Sequence, residues 1–227
     1  MISKRYFQYV RFVPYAKLER ARKNFRRGSD YYNAGDYESA IRAYSAAIRL
    51  NPNYTRAYYN RGIAYKGKGD YVQALTDYNR AIKLNPNHSQ AYNNRGVVHY
   101  LKRRYDLALD NYNRAIKLDP YNAQAYLNRG MCFRDKQALD KAEADYNQAL
   151  ILKPDYAAVY VGLGNIYYER QDYEQSVIAN TKAIQLQPAY GRAYRNREVA
   201  YKKLGKSELA ADDKRNAEEL GDSVKNT

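Results

Sequence analysis

Proline recurs along this chain at a fixed interval of 34 residues. The five prolines of this series are Pro52, Pro86, Pro120, Pro154 and Pro188. A leucine lies two residues before each of them, beginning with Leu50. Because proline disfavours the helical conformation in the residue that precedes it, each of these steps predicts the end of a helix. So regular a period is typical of a repeat architecture, in which chain length does not set the number of domains.

Small and aromatic residues recur in the same phase as the prolines. One series consists of Gly28, Gly62, Gly96, Gly130 and Gly164. Three residues after the glycine position stand Tyr31, Tyr65, His99, Phe133, Tyr167 and Tyr201. This spacing places both series on one helix face, where small residues let two helices approach closely. Turns such as Ala34-Gly35-Asp36 and Lys68-Gly69-Asp70 are predicted to separate the two helices of each period.

Two recurring segments carry a strong family resemblance. Residues 91–96 read AYNNRG and residues 81–86 read AIKLNP, which resembles the opening and the close of a tetratricopeptide repeat (TPR). In this register the six repeats are 21–54, 55–88, 89–122, 123–156, 157–190 and 191–224. The resemblance implies an all-α fold, a right-handed superhelical solenoid of antiparallel helix pairs whose first helices line a concave groove. The last repeat is expected to be a polar cap, since Glu198 replaces the glycine, Lys214 the aromatic residue and Asp222 the proline.

Positive charge is concentrated at the start of the chain. The first 30 residues hold nine basic and two acidic side chains, which is +7 of the formal net charge of +15. Residues 1–20 form a predicted basic arm, from which a helix could extend the first repeat backward to Pro14; residues 225–227 form a tail. Such an arm favours an acidic partner, such as a protein face, nucleic acid or anionic lipid. A cytoplasmic location is expected, with an organelle as the alternative if the arm is a transit segment.

Most of the tyrosines are predicted to be structural. Seventeen of the 28 tyrosines occupy four recurring positions, for example Tyr58, Tyr65, Tyr71 and Tyr78 in the second repeat. A recurrence in phase with the repeat is typical of packing between helices. The excess of tyrosine is therefore not interpreted as a base-stacking surface.

The candidate binding residues lie on the opposite face of the first helices. The second, fifth, ninth and twelfth positions of a repeat share this face, which lines the groove in the TPR family. The twelfth position holds Tyr32, Lys66, Tyr100, Arg134, Tyr168 and Lys202, so aromatic and basic side chains alternate. Such a series could stack on a ligand and neutralise its negative charge. Alternatively, these are amphipathic surface residues whose stems cover apolar area.

Further candidates come from neighbouring positions. Arg56 and Tyr59 hold the second and fifth positions of the second repeat. Asparagine recurs at Asn60, Asn94, Asn128 and Asn196, and an amide can hold the backbone of an extended peptide or satisfy a neighbouring helix carbonyl.

Arginine recurs one residue later, at Arg27, Arg61, Arg95, Arg129 and Arg197. An aspartate follows sixteen residues after three of them, at Asp77, Asp145 and Asp213. These three arginines are predicted to form structural ion pairs, because a partly buried charge needs a partner. Arg27 and Arg95 lack such an aspartate and are the stronger candidates for binding.

No catalytic or metal-binding pattern is found in the sequence. His88 lies at a repeat junction, His99 replaces a core aromatic residue, and the single cysteine, Cys132, is expected to be a buried thiol. The chain is therefore predicted to be a non-catalytic scaffold or adaptor without a cofactor, whose partner is a protein or peptide segment. An RNA-associated subunit, or part of an organelle complex, is the alternative. No stretch is apolar enough to span a bilayer, and self-association is left open.

Overall fold

The computed structural model describes residues 14–221, and every regular element within this range is an α-helix. Most of the predicted basic arm, Asp222 and the 225–227 tail lie outside the described residues. The helices are α1 (Tyr15–Asn33), α2 (Tyr37–Leu50), α3 (Thr55–Lys68), α4 (Tyr71–Leu84), α5 (Ser89–Leu101), α6 (Tyr105–Leu118), α7 (Ala123–Asp135), α8 (Leu139–Leu152), α9 (Ala157–Glu169), α10 (Tyr173–Leu186), α11 (Gly191–Lys203) and α12 (Ser207–Glu219).

The helices belong to two compact units, one up to Lys102 and one from Arg103. Within each unit, consecutive helices pack against each other. In the first unit α1 also contacts α3, and α3 contacts α5; in the second unit α7 contacts α9, and α9 contacts α11. The odd-numbered helices of each unit therefore form a continuous layer. This arrangement confirms the all-α repeat fold that the sequence predicts.

Short polar turns join the helices of a pair. Gly35 and Gly69 adopt φ angles of 78° and 86°, a left-handed conformation that glycine reaches without steric cost. The next residue caps the second helix: Asp36 accepts a hydrogen bond from the Ser39 amide at 2.9 Å, and Asp70 accepts one from the Gln73 amide at 3.1 Å. The two turns predicted from the sequence are thus present.

In the pairs α1–α2, α3–α4 and α7–α8, a tyrosine of the second helix packs on a glycine of the first. A Cβ atom on Gly28 would lie 2.6 Å from the Tyr44 ring, and one on Gly62 would lie 2.7 Å from the Tyr78 ring. Real Cβ atoms do not come so close, so only glycine permits the ring to pack there. The recurring tyrosines of this series, Tyr44, Tyr78, Tyr112 and Tyr146, are at most 1% exposed. Their predicted role in packing is confirmed.

A second recurring tyrosine packs on the arginine of its own helix. The guanidinium of Arg61 lies 5.7 Å from the Tyr58 ring centroid, and that of Arg129 lies 5.6 Å from Tyr126. These are cation–π distances. The ring therefore covers the apolar side of a partly buried charge, which is a structural use of tyrosine.

The turn position of Gly35 and Gly69 holds other residues in later repeats. Arg103, Gln137 and Gln171 occupy it with φ angles of 54°, 60° and 64°. The left-handed region costs a residue with a Cβ atom roughly 1–2 kcal/mol. These turns therefore retain the glycine geometry without glycine.

We predict that Gln137→Gly raises the free energy of unfolding. Relief of the left-handed strain exceeds the greater entropy that glycine gives the unfolded chain, so the gain is about 0.5–1 kcal/mol. Urea denaturation followed by circular dichroism measures it. Gln137→Ala is the matched control, because it shortens the side chain and keeps the Cβ atom; an equal gain in both variants would contradict the strain argument.

Candidate functional site

The eleven candidate residues all lie on odd-numbered helices. In the first unit they are Tyr32 on α1, Arg56, Tyr59, Asn60 and Lys66 on α3, and Asn94 and Tyr100 on α5. In the second unit they are Asn128 and Arg134 on α7, Tyr168 on α9 and Lys202 on α11. We call the layer of α1, α3 and α5 that carries Tyr32, Tyr59, Asn60, Lys66 and Asn94 the first-unit face.

A chain of hydrogen bonds joins α3 to α5 on this face. The Lys66 ammonium donates to Asn94 Oδ1 at 3.1 Å, and Asn94 Nδ2 donates to the Tyr59 hydroxyl at 2.9 Å. The same amide nitrogen also donates to the backbone carbonyl of Gln90 at 3.2 Å. Both ends of the Asn94 amide are therefore engaged within the protein. The observed bonds favour the interpretation in which this asparagine satisfies its own helix and positions its neighbours.

Lys66 is a half-buried cation without a carboxylate partner. Among the described residues, the Asn94 oxygen is its one hydrogen-bond acceptor, and no acidic oxygen lies within 4.0 Å. Burial lowers the pKa of the Lys66 ammonium below its ordinary value. An ammonium carries three donors, so two remain for water or a ligand. An anion placed beside Lys66 would offset the cost of burying its charge.

A small cavity lies on the same face, between α1 and α3. It has a volume of about 120 Å³ and is lined by Ser29, Tyr32, Asn33, Tyr44, Asn60 and Ile63. The Tyr44 hydroxyl donates to the Ser29 hydroxyl at 3.2 Å, which gives this cavity a polar wall. Within residues 14–221 the Asn60 amide makes no hydrogen bond, so its donors and acceptor are available to a ligand. Tyr32 packs on Tyr37 with ring centroids 5.6 Å apart.

Tyr59 lies at the centre of the face. Its ring packs against His88 at 4.7 Å and against Tyr78 at 6.2 Å, measured between centroids. Burial raises the pKa of the Tyr59 hydroxyl, although the hydrogen bond from Asn94 opposes this shift. The hydroxyl is thus a neutral group at physiological pH, and its own proton remains available for donation. The sequence did not single out His88 as a neighbour of this site.

The candidates of the second unit have different electrostatics. Arg134 contacts Asp135 at 2.8 Å and Glu169 at 4.0 Å, and Lys202 contacts Glu198 at 2.7 Å. Each of these cations therefore has a carboxylate partner within the protein, although Lys202 shares Glu198 with Arg195.

The other candidates of this unit also have partners. Tyr168 packs on Tyr173 at 5.3 Å, and Asn128 accepts a hydrogen bond from Gln124 at 2.9 Å. The basic residues of the alternating series therefore differ: Arg134 and Lys202 have carboxylate partners, and Lys66 has none. A binding role for the residues of the second unit remains a prediction.

The recurring arginines mostly form the structural pairs that the sequence predicts. The Nε atom of Arg61 lies 2.7 Å from a carboxylate oxygen of Asp77, and a second bond of the same length makes the pair bidentate. Arg129 pairs with Asp145 and Arg197 pairs with Asp213 in the same way. Each guanidinium also reaches the preceding repeat, as Arg61 does to the Ser45 hydroxyl at 2.8 Å.

The two arginines without an aspartate differ from each other. Arg27 lines an open cleft beside Asn24 and Arg42, and its side chain is exposed. Arg95 donates to Asn79 Oδ1 at 2.7 Å, and its guanidinium lies 5.3 Å from the Tyr92 ring. Burial lowers the pKa of Arg95. Arg95 thus contacts the preceding repeat, as the paired arginines do. A role of Arg95 or Arg27 in binding stays a prediction.

The described residues contain no group of three or more histidine, cysteine, aspartate or glutamate side chains that could hold a metal ion. Cys132 is buried and donates to the Tyr105 carbonyl at 3.5 Å. Burial raises the pKa of its thiol to about 11, so it is a poor nucleophile at physiological pH. The expected buried thiol is confirmed. No described helix is both long and apolar enough to cross a membrane.

Comparison with known families gives matches along most of the repeat region. Residues 59–123, 102–157 and 139–191 match a family model described as tetratricopeptide repeat, and residues 28–69 match a second one described as TPR repeat. The first model alone spans 59–191, which is more than half of the 227 residues. No curated protein matches the chain significantly.

Several solved structures share this fold. A structure of MamA from Desulfovibrio magneticus is 26% identical with a TM-score of 0.66, covering 76% of this chain and 97% of its own. YrrB, described as a TPR protein with an unusual peptide-binding site, is 23% identical with a TM-score of 0.61, covering 78% and 92%. PilW, described as a type IV pilus biogenesis factor, is 18% identical with a TM-score of 0.78, covering 85% and 90%. At such identities the last two show the fold alone.

We predict that Asp77→Ala lowers the free energy of unfolding by about 3 kcal/mol, because it leaves the Arg61 charge partly buried and unpaired. The double variant Arg61→Leu/Asp77→Ala installs the residues that repeat five holds at the same positions, Leu163 and Ala179. We expect it to recover most of the loss, since no charge remains to be paired. Urea denaturation of both variants tests this, and a double variant less stable than Asp77→Ala would contradict it.

We also predict that Lys66 titrates below the ordinary lysine pKa of about 10.4, because burial disfavours its charged form. Carbon-13 NMR of the lysine Cε resonances measures it, with Lys66→Arg used to assign the signal. A pKa above the ordinary value would mean that an anionic group already lies beside this ammonium.

Proposed function

Because this chain belongs to the tetratricopeptide repeat family, whose members are generally protein-interaction scaffolds, we propose that it binds a segment of a partner protein along the first-unit face. The observation that carries this proposal is the Lys66 ammonium without a carboxylate partner, held by an internal hydrogen-bond chain on the face that also carries a small cavity lined by Asn60. The proposed role is that of a non-catalytic scaffold with a concave TPR groove.

The proposed mechanism is preorganisation. Asn94 is fixed by its bonds to Tyr59 and to the Gln90 carbonyl, and it in turn holds the Lys66 side chain. Because the Lys66 side chain is already held in place, it loses less entropy on binding than a flexible lysine would. The face needs no folding step before it binds, which is the general advantage of a stacked repeat.

The chemistry of the face favours an acidic segment. A side-chain or terminal carboxylate beside Lys66 would restore a partner to the buried charge, and the Asn60 amide could bond to the segment's backbone. The cavity of about 120 Å³ has room for one small side chain beside Ser29 and Ile63. The basic N-terminal arm would add attraction to the same acidic partner at longer range.

We predict that peptides selected from a random library by the full chain are enriched in acidic residues or depend on a free C-terminal carboxylate. Lys66→Met should weaken their binding about tenfold or more, because the anion loses its partner. Lys83→Met is the matched control: it makes the same change at an exposed site in the last turn of α4. Fluorescence anisotropy with labelled peptides gives the affinities.

Equal affinities for the two variants would contradict the assignment of this face. A second arm measures binding of labelled single-stranded RNA at several salt concentrations. If RNA binds tightly with a steep salt dependence and no peptide is selected, the alternative of an RNA-associated subunit replaces the proposal.

A further inference from the structure

Three arginines converge on a pocket next to the first-unit face. Arg22 and Arg26 lie one helical turn apart on α1, and Arg56 lies in the first turn of α3. With Phe25 and Tyr54 they line an open pocket of about 330 Å³. Of these five residues, the sequence singled out Arg56 alone as a candidate. The other two arginines belong to the basic stretch at the start of the chain, where charge alone does not indicate a pocket.

The arginines of this pocket outnumber the carboxylates that pair with them. Arg22 contacts Glu19 at 2.5 Å, in a pair that is 57% and 46% exposed and therefore weakly held. Within residues 14–221, Arg26 has no ion pair or hydrogen bond, and Arg56 has no acidic partner but lies over the Phe25 ring. Three guanidinium groups thus face one carboxylate, which leaves a local charge of about +2.

The aromatic residues form the floor of the pocket. Phe25 is 8% exposed, and its ring lies 5.6 Å from Tyr44 and 5.1 Å from Tyr54. The Arg56 guanidinium lies 5.2 Å from the Phe25 centroid, at a cation–π distance. This contact holds Arg56 in place and covers the ring. The Phe25 face is therefore closed to a stacking nucleobase, and the pocket presents guanidinium donors instead.

We propose that this pocket binds a phosphate monoester, carried by a phosphorylated side chain of the partner segment. A phosphorylated side chain has a charge of about −1.5 to −2 at pH 7 and three strong acceptor oxygens, which match a local charge near +2 and several guanidinium forks. A carboxylate or a phosphodiester offers one negative charge. The assignment to a peptide, rather than to a free ester, rests on the proposed binding of a segment to the neighbouring face.

The test is an NMR titration of the arginine Nε–Hε resonances in the full chain. The probes are phenyl phosphate, inorganic phosphate, N-acetyl-phosphoserine amide, N-acetyl-aspartate amide and the diester dimethyl phosphate. We expect saturable shifts of Arg22, Arg26 and Arg56 with both monoesters, and about tenfold weaker binding of the diester and the aspartate. The monoester affinity should fall as the pH drops below about 6, where the second phosphate proton binds; the diester affinity should not.

Arg56→Gln should weaken monoester binding about tenfold or more, and Arg26→Lys should also weaken it, because lysine keeps the charge and loses the fork. Arg49→Gln is the matched control, an exposed arginine in the last turn of α2. Circular dichroism confirms that each variant is folded. Equal binding of the monoester and the diester, or equal losses in Arg56→Gln and Arg49→Gln, would overturn the proposal.

The outcomes also separate this pocket from the proposed function. If library peptides bind through Lys66 with the same affinity whether or not they are phosphorylated, the phosphate pocket is wrong and segment binding stands. If the phosphoserine probe binds through Arg56 and no library peptide binds the chain, the pocket stands and segment binding is wrong. If inorganic phosphate binds as tightly as both monoesters, the pocket is a free-phosphate site and the assignment to a phosphorylated side chain is wrong.

Discussion

The packing of a tyrosine ring on a helical glycine is the interaction that brings the helices together in the pairs α1–α2, α3–α4 and α7–α8. Tyr78 lies against Gly62 so closely that a Cβ atom on the glycine would stand 2.7 Å from the ring. The contact sets the distance between the two helices and turns the glycine side of the first helix inward. Tyr59 and Lys66, three residues before and four residues after Gly62, lie at the edge of this contact and form the surface that adjoins it.

The glycine is required by whichever side chain packs on it, even where that side chain is not a tyrosine. In repeat five the tyrosine position holds Asn180, which packs against Gly164. In the last repeat both have changed: Lys214 stands at the tyrosine position, and Glu198 stands at the glycine position. With no ring to accommodate, Glu198 is buried at 2% exposure and bonds to Arg195 and Lys202. Glycine is thus retained where a ring or an amide packs on it, and it is replaced in the last repeat, where neither does.

The sequence was sufficient for the repeat fold and for the structural arginines, because both depend on local spacing. A proline period fixes where helices end, and a separation of sixteen residues between Arg61 and Asp77 fixes which side chains meet. The hydrogen bonds within the candidate site could not be predicted in this way. Lys66 and Asn94 are 28 residues apart, and whether an amide is engaged or available depends on rotamers and on neighbours in the next repeat.

Asn60 and Asn94 illustrate this limit. They hold the same position in consecutive repeats, and the sequence gives no reason to treat them differently. In the structure the Asn94 amide bonds to Tyr59, Lys66 and Gln90, whereas the Asn60 amide lines a cavity. The pocket of Arg22, Arg26 and Arg56 could not be predicted from the sequence for a similar reason, because its residues come from one turn of α1 and from the start of α3. A count of basic residues does not show which of them converge.

The same packing contact also affects whether the cation four residues after the glycine position has an acidic partner. Lys66 and Lys202 hold equivalent positions, four residues after Gly62 and Glu198 respectively. Glu198 is a carboxylate partner of Lys202, whereas the Tyr78 ring requires glycine at position 62 and so excludes a carboxylate there. The neighbours that neutralise Arg134, namely Asp135 and Glu169, correspond to Gly67 and Leu101 around Lys66. Among the described residues, Lys66 is thus the one cation of this series without a carboxylate partner, in part because core packing requires glycine at position 62, and for this reason we propose the binding function for the first unit.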